Sequence, residues 1–130
     1  FATPGVNIGL FCSTPMVAVS RKLPRKKMME MLLMGDLVSA ETALEFGLIN
    51  RVVAYEKLEE TVSNYANKIK EKSPLVLKIG KEAFYNQIDM PLAEAYKYTA
   101  EVMTQNMLAQ DANEGINAFI EKRQPTWAGK

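Results

Sequence analysis

Histidine is absent from this sequence, and cysteine occurs once, as Cys12. Without an imidazole the chain holds no Ser-His-Asp triad, and with a single thiol it holds neither an internal disulfide nor a Cys/His zinc site. Charge of one sign is missing too: 16 basic residues face 15 acidic ones, a net of +1. No long-range field therefore draws the chain to nucleic acid or to an anionic membrane, and any anion recognition has to be local. Uninterrupted apolar runs fall far short of the ~20 residues of a membrane span, and no basic-then-apolar leader is expected, although a removed N-terminus could have carried any address. The expectation is a soluble, intracellular protein whose chemistry rests on carboxylates, lysines and backbone dipoles. At 130 residues the chain is long enough for one compact domain that buries roughly two-thirds of its unfolded surface.

What is present is punctuated like a helical array. The first fifteen residues carry Pro4, Gly5, Gly9 and Pro15, which suits a short extended piece and an irregular loop. "PRKKMMEMLLMGD" places Pro24 at a helix start and Gly35 where a left-handed C-terminal residue belongs. "SAETALEFG" repeats the grammar, with Ser39 as N-cap and Gly47 as stop. "LINRVVAY" is the one convincing strand-like run. Leu58, Val62, Tyr65, Ala66 and Ile69 recur at helical spacing up to Ser73-Pro74; Val76, Ile79, Ala83 and Phe84 restart the pattern; Pro91 opens a longer helix with Leu92, Tyr96, Thr99 and Met103 on one stripe. In "DANEG", Asp111 as N-cap with Glu114 three residues on predicts a capping box, with Ile116, Phe119 and Ile120 facing inward. The fold class is mainly α, with one or two short strands near Phe1 and over Leu48–Val53, and no linker or fixed-period repeat appears.

Three features could carry chemistry, and each has a plainer reading. Arg21, Lys22, Arg25, Lys26 and Lys27 crowd the front of a helix, where they oppose its macrodipole; a bound phosphate or carboxylate would stabilise them, but so would simple solvation. With no aromatic residues interleaved, the cluster gives little support to a nucleic-acid or membrane-surface module. Met28, Met29, Met31 and Met34, four of the eight methionines, share a helix with Leu32 and Leu33. Methionine suits an acyl pocket, a subunit contact or plain core, and apolar residues at nearly every position predict cover on more than one side. Glu41 with Glu45, and Glu56 with Glu60, read as solvated or ion-paired carboxylates rather than an acid/base pair. On residues alone the reading stops at a mostly helical, subunit-like module.

At "MGDLVSAETALEFGLINRVV" the chain resembles the enoyl-CoA hydratase/isomerase (crotonase) superfamily: a Gly-Asp pair, Ser-Ala opening a short helix, a second alanine three residues later, then Gly-Leu-Ile and a Val-Val run. "FATPGVNIG" is similar to the family's Phe-x-x-Pro-Glu-x-x-x-Gly segment, and "DANEGINAFIEKRQPTWAGK" to its C-terminal Asp-x-x-Glu-Gly-x-x-Ala-Phe-x-Glu-Lys-Arg-x-Pro tail. The resemblance covers nearly the whole chain. It implies the C-terminal, helical trimerisation part of a crotonase-like α/β spiral, with residues 1–53 ending the spiral core and 54–130 forming the oligomerisation region. The upstream half of the same subunit would then cover the methionine helix, and would bring the oxyanion-hole N–H pair and the first catalytic glutamate. This chain alone is expected to be inactive.

The resemblance also assigns residues. The family's second glutamate falls at Gly5, which can act neither as acid nor as base; Val6 or Asn7 could aim into the vacated space, and Gly5 after Pro4 is also a natural turn residue. Phe119 and Lys122 match an aromatic–lysine pair that contacts CoA from a neighbouring subunit, and Met103 stands where a further wall residue would be. The plainer reading makes Phe119 packing and Lys122 one more exposed charge. The resemblance therefore implies an acyl-CoA thioester as ligand, no cofactor beyond the CoA it carries, no metal, a homotrimer or dimer of trimers, and a cytoplasmic or mitochondrial-matrix setting for fatty-acid or related acyl-CoA metabolism, by lyase or isomerase chemistry. The alternative is a non-catalytic acyl-CoA-binding and oligomerisation module that lost hydratase chemistry with the glutamate.

Overall fold

The computed structural model describes residues 1–130, which divide into two compact units, Phe1–Leu58 and Glu59–Lys130. Seven α-helices follow one another: α1 Ser13–Val19, α2 Arg25–Met34, α3 Ala40–Glu45, α4 Leu58–Lys70, α5 Pro74–Gln87, α6 Leu92–Met107 and α7 Gln110–Glu121, with 3-10 turns at Pro4–Ile8 and Tyr55–Lys57. The mainly helical class holds, and no strand forms. The run at 48–53 forms no ladder: Leu48 N–H closes the end of α3 on the Ala43 carbonyl at 2.9 Å, and an irregular segment follows. Near Phe1, strand pairing shrinks to one residue pair, Phe1 and Val38, which exchange backbone hydrogen bonds of 2.8 and 2.7 Å.

The first unit is organised by α2. Met28, Met31 and Leu32 are buried with Leu23, and Met16, Val19, Val38, Phe46 and Leu48 pack against them. Each such side chain withdrawn from water contributes about 1.5–3 kcal/mol. Met29, Leu33 and Met34, on the rest of the same helix, remain half or more exposed. Gly35 ends α2 at φ 67°, its N–H returning to the Met31 carbonyl. A Cβ there would lie 2.8 Å from Val6 Cγ2 and 2.9 Å from Asn7 Oδ1, so the 3-10 turn sits directly on the helix end. The first residues thus form this turn and then α1, where an extended piece and loop were expected. Ser39 caps α3 by accepting from Thr42 N–H at 3.1 Å.

In the second unit α5 packs on α6 and α6 on α7. Ser73 caps α5, accepting from Val76 N–H at 3.2 Å, with Pro74 at the first helical position. The apolar stripes read from the sequence exist, but on this chain they face out: Val62, Ile69, Phe84, Leu92, Tyr96 and Met103 are all more than half exposed. Ile116, Phe119 and Ile120 do not face inward; the face of α7 that packs is the small one, Gly115 against the Trp127 ring and Ala118 fully buried. The capping box also fails to form. Ala109 is the N-cap of α7, and the carboxylates of Asp111 and Glu114 turn instead to the C-terminal segment 123–130.

Candidate functional site

In the first unit, Gly5 lies inside the Pro4–Ile8 turn, closed by Gly9 at φ 76°. Its N–H points to Cys12 Sγ at 3.3 Å and its carbonyl accepts from Leu10 N–H at 2.9 Å. A Cβ at this position would stand 2.9 Å from both Cys12 Sγ and the Leu10 carbonyl oxygen. The backbone therefore folds over the place where a side chain would begin. Val6 and Asn7 do not fill in: Asn7 Nδ2 donates to the Gly35 carbonyl at 3.2 Å, and Val6 meets Gly35 from the same side.

Two members of the basic cluster in this unit, Arg21 and Lys27, are locally engaged. Arg21 Nη1 donates to the Val17 carbonyl at the end of α1 at 2.6 Å. Lys27 pairs with Glu30 at 3.3 Å and lies 4.6 Å from the centre of the Phe46 ring. No group of three His, Cys, Asp or Glu side chains is placed to hold a metal ion.

In the second unit, the end of α7 and the segment behind it form a strap. Asp111, 1% exposed, accepts from Ser73 Oγ at 2.5 Å, from Ala128 N–H at 2.7 Å and from Gly129 N–H at 3.1 Å. The Ser73 hydroxyl, helped by those backbone donors, holds the Asp111 carboxyl below its ordinary value, although burial works in the opposite direction. Glu114 accepts from both terminal guanidinium nitrogens of Arg123, Nη1 at 2.6 Å and Nη2 at 2.9 Å, and also from Thr126 N–H at 2.7 Å. Arg123 first, then the Thr126 amide, keep the Glu114 carboxyl at about 2. Trp127 donates its indole N–H to the Glu71 carbonyl at 2.7 Å and covers Gly115, where a Cβ would come within 3.3 Å of the ring.

Beneath the strap lies a groove of about 540 Å3 with Val76, Leu77, Met107, Ile116, Phe119 and Trp127 in its walls. Phe119 is 85% exposed, and its carbonyl accepts from Lys122 N–H at 3.3 Å. Lys122 is the C-cap of α7 at φ 56°, ψ 37°, the one positive-φ residue in the chain that is not glycine. A lysine held there costs about 1–3 kcal/mol, which its surroundings have to offset. Phe119 and Lys122 are thus brought together on the last turn of α7, both exposed. Met103, exposed on α6, does not line the groove. Sequence reasoning missed the Asp111–Ser73 pairing and the left-handed lysine. The Pro125 to Gly129 stretch, rich in turn residues after a helix, was the one available sign of a strap.

A methionine-cored turn-and-helix unit, followed in the chain by a helical C-terminal array, is the makeup of the C-terminal part of the crotonase fold. A solved enoyl-CoA hydratase of Mycobacterium smegmatis superposes with a TM-score of 0.94 at 45% identity, over 98% of this chain and 49% of its own. The human enoyl coenzyme A hydratase domain-containing protein 3 also gives 0.94, at 47% identity over 98% and 50%. Its rat counterpart, named mitochondrial, is 49% identical over 128 residues, 98% of this chain and 43% of that protein. The family model described as enoyl-CoA hydratase/isomerase matches residues 1–130 throughout. The chain belongs to the enoyl-CoA hydratase/isomerase family, and it spans about half the length of the relatives it matches.

Proposed function

We propose that the complete protein binds acyl-CoA thioesters and performs hydratase/isomerase-type chemistry with one carboxylate rather than two, double-bond isomerisation being the reaction a single glutamate can serve. The observation that supports this is Gly5. It stands where the family motif has its second glutamate, it can neither activate water nor deliver a proton, and the Leu10 carbonyl and Cys12 Sγ occupy the approach to a side chain there. The test is a hydration and isomerisation assay of the complete protein on crotonyl-CoA and a 3-enoyl-CoA. Slow or absent hydration with measurable isomerisation supports the reading; wild-type hydration that Gly5→Glu, alone or with Cys12→Ala, does not improve overturns it.

A second reading, binding without chemistry, is favoured by the engagement of Val6 and Asn7 at Gly35, which leaves no substitute acid or base in the turn. Absence of both activities with retained CoA affinity selects it. In either case Phe119 is assigned to the adenine face, Lys122 to a CoA phosphate and Met103 to a neighbouring wall, with no cofactor besides the CoA of the ligand. The exposed stripes on α6 and α7 support assembly as a trimer or dimer of trimers. A monomeric mass by light scattering would refute that assembly. The proposed setting is the cytoplasm or the mitochondrial matrix; no helix is long and apolar enough to cross a membrane.

A further inference from the structure

Lys122 sits in a backbone conformation that lysine does not choose, and the atoms around it explain how it is kept there. Its two chain neighbours are bonded to each other across it: Arg123 Nε donates to Glu121 Oε2 at 2.5 Å. The rest of the Arg123 fork is taken by Glu114 nine residues back, and Arg123 N–H returns to the Ala118 carbonyl at 3.0 Å. The backbone on both sides of Lys122 is thereby tied to α7 by a planar, two-point contact that tolerates little rotation. Strained residues persist where the surroundings over-determine them, and they cluster at ligand sites.

We propose that Glu114 and Arg123 are positioning residues for Lys122: their clasp fixes the left-handed turn and so presents the Lys122 ammonium, three residues on from the exposed Phe119, to a phosphate of the bound CoA. The proposal rests on the reading that Lys122 is a CoA contact. Neither positioning residue touches the ligand. Their effect on affinity passes through Lys122 alone.

The test is a double-mutant cycle in the complete, assembled protein, with CoA itself as titrant in an isothermal calorimeter and thermal melts alongside. Lys122→Ala should weaken CoA binding roughly 10-fold, the scale of a lost charge-assisted contact. Glu114→Gln should weaken it by roughly 3- to 10-fold in the wild-type background, and by less than about 2-fold when Lys122 is already alanine. Arg123→Lys, which keeps the charge and loses the fork, should follow the same pattern and serves if Glu114→Gln does not fold. An equal loss from Glu114→Gln in both backgrounds overturns the proposal, because the clasp would then act on the fold rather than through Lys122. Unchanged affinity in Glu114→Gln where Lys122→Ala binds weakly overturns it as well. Unchanged affinity in Lys122→Ala removes the CoA contact itself, a failure of the parent reading that the cycle separates from the other two.

Discussion

The two units cohere by different means. Around α2, large apolar side chains are inside and polar groups serve the edges; Thr3 Oγ1 donating to the Met31 carbonyl at 2.8 Å is the buried polar exception. In the second unit the buried positions are small or polar, Ala95, Ala118, Ser73 and Asp111, while Phe119, Leu108, Leu92, Tyr96 and Ile120 lie 70% or more exposed. The first unit buries large apolar side chains around one face of α2, although Leu37, Tyr55 and Ile8 stay 77% or more exposed. The second buries no large apolar side chain, is held by directed hydrogen bonds and leaves its hydrophobic surface available, which is what the proposed assembly would use.

Substitutions that break this contrast can be ranked. Leu32→Ala removes a fully buried side chain from the first unit and should lower stability by about 2–5 kcal/mol in denaturant melts of the complete protein. Asp111→Ala should come next and act differently. It strips Ser73 Oγ and the Ala128 and Gly129 amides of their acceptor, so the strap should become protease-sensitive and Trp127 emission should shift red, while amide exchange in α2 stays at the wild-type rate.

Acid should loosen the strap as well. Asp111 and Glu114 both titrate lower when folded than when unfolded; the Glu114 contribution is fully present above about pH 4.5 and is lost as pH falls towards about 2, and that of Asp111 is lost in the same direction. A Trp127-dependent emission change across that window, abolished in Trp127→Phe and moved to higher pH in Arg123→Gln, is the expected record. A strap signal flat down to pH 2 would contradict it.

The smallest effect compares two serines in the same role. Ser39→Ala removes the cap of α3 and an exposed hydrogen bond to Thr42 Oγ1, and should cost about 1 kcal/mol. Ser73→Ala removes the cap of α5 and also the donor to Asp111, so its loss should exceed that of Ser39→Ala. Equal losses would mean that the Asp111 bond contributes nothing beyond capping.

What could be read from the sequence was what is local. Pro24, Gly35, Ser39, Gly47 and Pro91 mark helix ends through contacts within a few residues, and each does so here. The apolar stripes were legible as periodicity, but their direction was not, because period alone cannot say whether Ile116 or Gly115 meets a neighbour. Asp111 and Glu114 carried a valid capping pattern, and it lost to partners that sequence spacing does not reveal: Ser73 stands 38 positions away, and the strap amides 12 to 18. The run at 48–53 has strand composition, yet a ladder needs a second run, and none in the chain pairs with it. For the candidate site, the motif match supplied Gly5, Phe119 and Lys122. The crowding at Gly5 and the turn at Lys122 are properties of the backbone path, which composition does not encode.

The left-handed lysine also sets two selections against each other. Glycine or asparagine adopts that turn more easily, so a screen for heat resistance alone should return one of them at position 122. Under the CoA role proposed for Lys122, those survivors would be the sturdier proteins and the weaker binders of the nucleotide.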